Sequence, residues 1–518
     1  MNQFLDALTN ATNFTHTENG AITHRTTKSA LLDMFAMGAA MRNRSDEDVI
    51  LMFRNAFDEN PIYALKCLFY IRDVRGGQGE RRFFRVCMKD LATYNTDAAR
   101  RNLKHVFEFG RWDDLYIFIG TPLENDALSI IKEQLALDVQ CITPSLLAKW
   151  LKSENTSSAE SRRLGRKTRQ FLGMTARQYR KTLSILRKRI NVLERLMSEG
   201  RWDEIEFDKI PSKAGIKYKN AFARHDLERA KSEKAVQTYA DFAKDTTTKV
   251  NAKTLYPYEC VAEALKIFRT GSYSSMRNLP PVDDTNRLMV NKYWENLADY
   301  FGKASFNGLA VVDTSGSMCG PEASAPINVA ISLGLYCAEK AKGPYAGHYI
   351  SFASRPQLIK TEGVDFVDKV QRIYKTNLVD NTNIEGVFDL LLETAIINNC
   401  SQDDIPANIL IISDMEFDQA ANSYGWGVRN SFTSFDHNNA ETLLEGIARK
   451  WAARGYQMPK LIFWNVDCRQ NNIAMLGNGP ISYISGFSPS IFQTIITGKT
   501  GEDLMYEALN NERYSCIH

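Results

Sequence analysis

The sequence predicts a multidomain chain in two unlike parts: an all-α part over 1–302 and an α/β part with a mostly parallel sheet over 303–518. Three observations predict it. Up to about residue 300 apolar residues recur at helical spacing, and short polar turns separate the segments. From about 305 unbroken apolar runs alternate with helical patterns, as in a parallel sheet buried on both faces. The charge also changes sign there: residues 303–518 hold 16 basic and 23 acidic side chains, and the remainder 48 and 38. The chain has 518 residues, enough for roughly two to four domains at about 150 residues each. Its 44% apolar and 24% charged content is that of an ordinary globular protein, which excludes a mainly disordered or collagen-like chain. No apolar run approaches the roughly 18 residues of a membrane span, so no membrane role is expected. The first residues carry no basic-then-apolar leader pattern. Nine scattered cysteines without a Cys-x-x-Cys pair predict free thiols in a reducing cytoplasm.

In the first part, Leu31, Leu32, Met34, Phe35 and Met41 form one apolar helical segment. A second starts at Pro61, a favourable first-turn residue, and runs through Ile62, Leu65, Leu68 and Phe69. A local repeat follows: Gly110-Arg111-Trp112-Asp113-Asp114 and Gly200-Arg201-Trp202-Asp203-Glu204. Each follows an apolar helix, with glycine suited to a left-handed C-cap and aspartate to the next N-terminus. Equivalent corners of this kind predict stacked helix pairs, a HEAT-like solenoid.

In the second part, Gly308–Val312 and Asn408–Ser413 are expected strands buried on both faces. Tyr349–Phe352, Gln357–Ile359 and Leu461–Val466 are further strands. Helices are expected over 327–341, 364–375, 384–398 and 441–455. Ligands of such sheets bind beyond the C-terminal strand ends. There the first strand runs into Asp313-Thr314-Ser315-Gly316-Ser317, and the next buried strand ends in Ser413-Asp414. Between them, Asn381-Thr382-Asn383 precedes a helix. Alternating Asp, Ser and Ser can turn three hard oxygens to one point, which suits Mg²⁺ or another divalent cation. This constellation resembles the metal-ion-dependent adhesion site of von Willebrand A domains. The resemblance implies a Rossmann-type sheet and makes Asp313, Ser315, Ser317, Thr382 and Asp414 the metal ligands. It also implies a free coordination position that would accept a carboxylate or phosphate from a partner. The stretch 416–440 follows Asp414 and carries Phe417, Tyr424, Trp426, Phe432 and Phe435. It is expected to border the metal face.

The positive excess sits in 151–235, with 22 basic and 11 acidic residues. Residues 162–189 contain no acid and eleven cations, among them Arg162, Arg163, Arg166, Lys167, Arg169, Arg177, Arg180, Lys181, Arg187 and Lys188. Tyr179, Leu183 and Leu186 recur at helical spacing, so the second helix here is expected to bury one face and present cations on the other. Such a surface suits nucleic acid or another polyanion. A second candidate is the loop Arg72-Asp73-Val74-Arg75-Gly76-Gly77-Gln78-Gly79-Glu80-Arg81-Arg82. Its glycines could expose N–H groups, and Arg72, Arg75, Arg81 and Arg82 could pair with phosphates. It lacks the Gly-Lys-Ser/Thr of a Walker A loop.

Lys253-Thr254-Leu255-Tyr256-Pro257-Tyr258-Glu259, with the helix that runs to Arg269-Thr270-Gly271, lies just before the α/β part. Together with the metal motif it resembles the Ro (TROVE) RNA-binding proteins. They join a ring of HEAT-like helices to a von Willebrand A domain and bind small non-coding or misfolded RNAs. Tyr70 to Arg81, Ala148-Lys149-Trp150-Leu151, Tyr179-Arg180-Lys181 with Leu186-Arg187-Lys188, Ile210-Pro211-Ser212-Lys213-Ala214 and Ser485-Gly486-Phe487-Ser488-Pro489 are similar to an uncharacterised Ro-related family. The resemblance implies a TROVE-like helical part and a non-enzymatic, cytoplasmic RNA-binding protein with a magnesium site in its A domain. The competing expectation is a scaffold that recruits an acidic protein partner through the metal, without an RNA role. A hydrolase is disfavoured: there is no Gly-x-Ser-x-Gly elbow, and the seven histidines form no H-x-x-x-H pair.

Overall fold

The computed structural model describes residues 13–269, 284–302, 305–352, 355–376, 383–418, 442–473, 475, 481–495 and 501–518. The chain has a helical N-terminal part and a C-terminal part built on a mixed sheet. Local chemistry starts the helices. Ser45 accepts a hydrogen bond from the Asp48 amide, and three acids in the first turn favour the N-terminus of helix Asp46–Glu59. Asn60 caps helix Pro61–Arg72, with proline at the first position as the sequence predicts. No helix among the described residues is long and apolar enough to cross a membrane. None of the nine cysteines forms a disulfide.

The first part is not all-α. Strands β1 (Phe14–His16) and β2 (Ile22–His24) form an antiparallel hairpin. Such short strands are stable only when docked, and this pair docks on the α/β part. The predicted corners are alike in plan but not in detail. Each is a helix end followed by a 3₁₀ turn, Trp112–Phe118 or Trp202–Glu204. Trp112 stacks on Phe107, and Trp202 stacks on His225, both at 3.8 Å between ring centres. Gly200 is left-handed at φ +70°, as a C-cap glycine should be, whereas Gly110 has φ −114°.

The main sheet contains β3 (Gly308–Asp313), β4 (His348–Phe352), β5 (Gln357–Lys360), β6 (Asn408–Ser413), β7 (Lys460–Asn465) and β8 (Ile481–Ser485). Their spatial order is β5-β4-β3-β6-β7-β8. Among the described residues of this sheet, only the edge strand β5 is antiparallel to its neighbour. Apolar runs fill β3 and β6 because both faces are covered. One face meets helices Pro257–Arg269, Asp284–Glu295, Pro326–Lys340 and Phe366–Thr376. The other meets Ile384–Ile397 and Leu443–Ala452. Trp294, from the first part, stacks on Phe366 at 4.1 Å. The core also crosses between the parts at the other end, where Leu504, Met505, Leu509 and Tyr514 pack among the N-terminal helices. Strand order reverses between β3 and β6, and the C-terminal ends of these two strands are the expected ligand crevice.

Candidate functional site

Val312 pairs with Ile412 across β3 and β6, so Asp313 and Ser413 emerge side by side at the crevice. Ser413 Oγ donates to Asp313 Oδ2 at 2.5 Å. The Ser315 amide donates to Asp313 Oδ1 at 2.9 Å, and Ser315 Oγ lies 3.0 Å from Ser317 Oγ. Asp414 follows Ser413 and takes the Glu416 amide at 3.3 Å. Met415 turns the chain there with a left-handed φ of +68°, which a residue with a Cβ adopts at a cost of about 1–3 kcal/mol. Both carboxylates are buried. Burial, then repulsion from Asp414, pushes the Asp313 carboxyl up to about 6. Burial also raises Asp414, against the pull of the Ser317 hydroxyl. Asp414 Oδ2 is buried without a hydrogen-bond partner.

Four of the five expected ligands, Asp313, Ser315, Ser317 and Asp414, therefore meet at one sheet edge. Thr382 lies outside the described residues; the adjoining Asn383 caps helix Ile384–Ile397 through the Gly386 amide. Two close, buried carboxylates with an orphaned oxygen and adjacent hydroxyls fit a hard divalent cation, which would neutralise the repulsion. No three His, Cys, Asp or Glu side chains form a metal-holding group among the described residues, so hydroxyls and water must complete any coordination shell.

The hairpin covers this edge, which the sequence did not indicate. The Glu18 amide donates to Glu416 Oε2 at 2.6 Å, and Thr17 Oγ1 donates to the Phe417 carbonyl at 2.6 Å. His24 exchanges backbone hydrogen bonds with Ile473. Arg469 ties the cover to the site: it pairs with Glu18 at 2.5 Å, donates to the Ser317 carbonyl at 3.2 Å and stands 3.8 Å from Asp414 Oδ2. A cation so placed repels a metal. Arg469→Gln is therefore expected to raise Mg²⁺ affinity by roughly three- to tenfold, about 1 kcal/mol for one partly exposed charge. Calorimetric titration reads this, and an affinity that falls contradicts it. Of the 416–440 stretch, Phe417 packs against Phe352 and Phe463 at this edge; Tyr424, Trp426, Phe432 and Phe435 lie outside the described residues.

The cationic candidates divide. Helix Ala176–Arg189 buries Tyr179, Leu183 and Leu186, as predicted. Arg177, Arg180, Lys181 and Lys188 are exposed on it, and Arg166 on helix Ala159–Phe171. None of these five forms an ion pair among the described residues, and nor do exposed Arg75 and Arg81. Partial desolvation and the neighbouring Arg111, Arg72 and Arg85 pull the Arg81 guanidinium below its usual range.

The other seven are committed within the fold. Arg187 belongs to the structure and not to a free surface: it donates to the Ala148 and Leu151 carbonyls, both at 2.9 Å, and to Ser153 Oγ at 3.1 Å. Arg162 donates to the Thr156 and Ser157 carbonyls. Arg163, Lys167 and Arg169 pair with Glu160, Glu124 and Glu154. The glycine loop is not a phosphate cradle. The Arg75 and Gly76 amides bind the Asp73 carboxylate. The Gly77 and Gly79 amides bind the Asp73 carbonyl, and the Gln78 amide the Tyr70 carbonyl. Arg72 is buried on Asp114, and Arg82 is held by Asp46 and two carbonyls. The loop instead docks the two parts, with Ser490 Oγ on the Gly77 carbonyl at 3.0 Å and Arg513 on Asp73.

The fold and site define a class of protein: a helical part joined to a doubly wound sheet, with carboxylates at the switch point. Residues 17–136 and 134–305 match the family described as Domain of unknown function (DUF2828). Residues 307–514 match that described as Domain of unknown function (DUF7788). The chain is 30% identical over 523 residues to the "Uncharacterized protein L728" of Acanthamoeba polyphaga mimivirus, covering 94% of this chain and 85% of the relative. The chain belongs to the DUF2828 family, with the DUF7788 domain as its C-terminal part.

Proposed function

We propose that this is a non-enzymatic RNA-binding protein of Ro-like architecture, with HEAT-like helical repeats and a magnesium centre in a von Willebrand A-like domain. The observation that carries the RNA reading is the uncompensated cationic face: Arg166, Arg177, Arg180, Lys181 and Lys188 reach solvent with no carboxylate partner among the described residues. Cations fixed on rigid helices can meet several phosphates at once and release counterions. Such contacts bind small non-coding or misfolded RNA with weak sequence preference. The strand order with its single antiparallel edge and the Asp313–Asp414 cluster support the A-domain reading.

Reversing Arg180, Lys181 and Lys188 to Glu is expected to weaken RNA binding at least about tenfold, or about 1.4 kcal/mol, and to flatten its salt dependence. The thermal midpoint should stay within a few degrees of the parent. Unchanged affinity in a folded triple variant overturns the reading. Arg187 is left out of this set because Arg187→Glu would break its three internal hydrogen bonds.

A second reading, a metal-dependent scaffold for an acidic protein partner without an RNA role, is favoured by the orphaned Asp414 oxygen. It predicts Mg²⁺-dependent capture of a carboxylate-bearing partner by a protein that ignores RNA at low salt.

A further inference from the structure

We propose that the corner Gly110–Asp114 binds a phosphate monoester, a dianion, between Arg81, Arg85, Arg111 and Lys152. The proposal goes beyond the RNA-binding reading above and does not depend on it. Two carboxylates organise the corner. Asp114 takes Arg72 at 2.7 Å and Arg85 at 2.6 Å. Asp113 takes Arg111 at 2.7 Å, Arg85 at 3.1 Å and Lys152 at 4.0 Å. The Arg85 amide donates to the Arg81 carbonyl at 3.0 Å, so Arg81 precedes Arg85 by about one helical turn on the same face. There it stands in the field of Arg111, Arg72, Arg85 and Asp114.

Five cations therefore share two carboxylates, and 5 − 2 leaves an excess of three positive charges. The neighbouring acids Asp73 and Glu80 do not answer it, because Arg513 and Arg42 engage them. Arg81 is exposed, and its side chain forms no ion pair or hydrogen bond among the described residues. Partial desolvation and then its arginine neighbours pull its guanidinium below the usual range, as befits a cation set among like charges. The second corner is an internal control. There Arg195 and Arg201 meet Glu199 and Glu204, two against two, so the shared motif does not itself require an excess.

The groups are open to a ligand and fixed in place. The side chains of Arg85, Arg111 and Lys152 are 30%, 27% and 29% exposed, so their heads reach solvent beside Arg81. Arg111 spends two N–H groups on Asp113 and lies over the Trp150 ring at 4.0 Å, which sets its plane and leaves donors outward. A phosphate monoester brings three acceptor oxygens and nearly two negative charges at neutral pH. Guanidinium forks match those oxygens in pairs. A carboxylate or a phosphodiester brings one charge and two free oxygens, and so offsets less of the excess. The same monoester chemistry occurs at the end of a nucleic-acid strand and on a free nucleotide.

The test uses the full chain and two pairs of probes. A short single-stranded RNA with a 5′-phosphate and a 3′ fluorophore is compared by anisotropy with the same strand ending in a 5′-hydroxyl. Uridine 5′-monophosphate is compared with uridine by calorimetry. The expected result is a preference of at least about tenfold for the phosphorylated member, the worth of one charge-assisted hydrogen bond. Preference between the strands assigns the site to RNA ends, and preference between the nucleotides alone assigns it to a free ligand. Arg81→Gln should abolish the preference at an unchanged thermal midpoint. Arg177→Gln, on the basic helix, should weaken both strands alike and keep the preference. Equal binding within both pairs by the parent overturns the site, as does a preference that survives Arg81→Gln or is lost equally in Arg177→Gln. Each of these leaves the RNA reading standing. If neither strand binds at low salt, the RNA reading fails, and the nucleotide pair still decides the site.

Discussion

Asp114→Ala is expected to destabilise the helical part by about 3–5 kcal/mol. The Asp114 carboxylate is fully buried and accepts from Arg72 at 3.0 and 2.7 Å, from Arg85 at 2.6 Å and from the Arg111 amide at 2.9 Å. Removing it leaves the Arg72 guanidinium buried with no counter-charge and frees an amide as well. Asp113, the neighbouring carboxylate, is already engaged by Arg111 and Arg85 and cannot replace it. A surface pair gives the contrast. Arg163 and Glu160 are more than half exposed, so Glu160→Ala should barely move the unfolding midpoint. Urea unfolding followed by far-ultraviolet circular dichroism reads both. Equal midpoints for Asp114→Ala and Glu160→Ala would sink the argument. Replacing Arg72 by Met in the Asp114→Leu background should recover part of the loss, because an apolar pair needs no counter-charge.

The same residues show where local sequence was enough and where it was not. Gly-Arg-Trp-Asp-Asp announces a corner, and the corner forms. The sequence does not reveal that its second aspartate anchors Arg72, 42 residues earlier. For that reason Arg72 reads as a phosphate ligand in the sequence and as a buried ion pair in the fold. Arg187 and Lys188 are adjacent in a basic run, but one helical step of 100° sends the first to the Ala148–Ser153 segment and the second to solvent. The alternating oxygens after Asp313 were legible because they are local and because apolar runs mark β3 and β6. Glu18, Glu416 and Arg469 meet only when the sheet is closed, so no spacing could have joined them. The hairpin strands span three residues each, too few for a period to appear. In β8, Ile481-Ser482-Tyr483-Ile484-Ser485, serines interrupt the apolar run on which the other strands were recognised. Ser482 and Ser485 are nonetheless buried, and Ser485 Oγ donates to the Phe35 carbonyl at 3.2 Å.

Asp313→Asn is expected to abolish Mg²⁺ binding and also to remove the stabilisation that Mg²⁺ gives the parent. Asp313 and Asp414 are buried together, each raised by desolvation and with Asp313 further raised by its neighbour. The metal-free fold therefore holds charge that the unfolded chain would hydrate freely. A bound dication reverses that penalty. At a hundred times its Kd it adds about 2.7 kcal/mol to the folded form. The asparagine variant keeps the shape and an acceptor for the Ser315 amide, loses one charge, and should be at least as stable as the parent without metal. Asp313→Ala also lacks metal binding, but it strands the Ser413 hydroxyl and the Ser315 amide and should lose about 1–3 kcal/mol. Thermal melts with EDTA or with Mg²⁺ distinguish the three proteins. The parent should gain with metal, Asp313→Asn should be indifferent to it, and Asp313→Ala should be lower in both. An equal Mg²⁺ gain in the parent and in Asp313→Asn would mean that the ion binds elsewhere, and the crevice between β3 and β6 would then have no claim as the metal centre. RNA binding should be the same in all three, because the basic helix and the sheet edge share no residue.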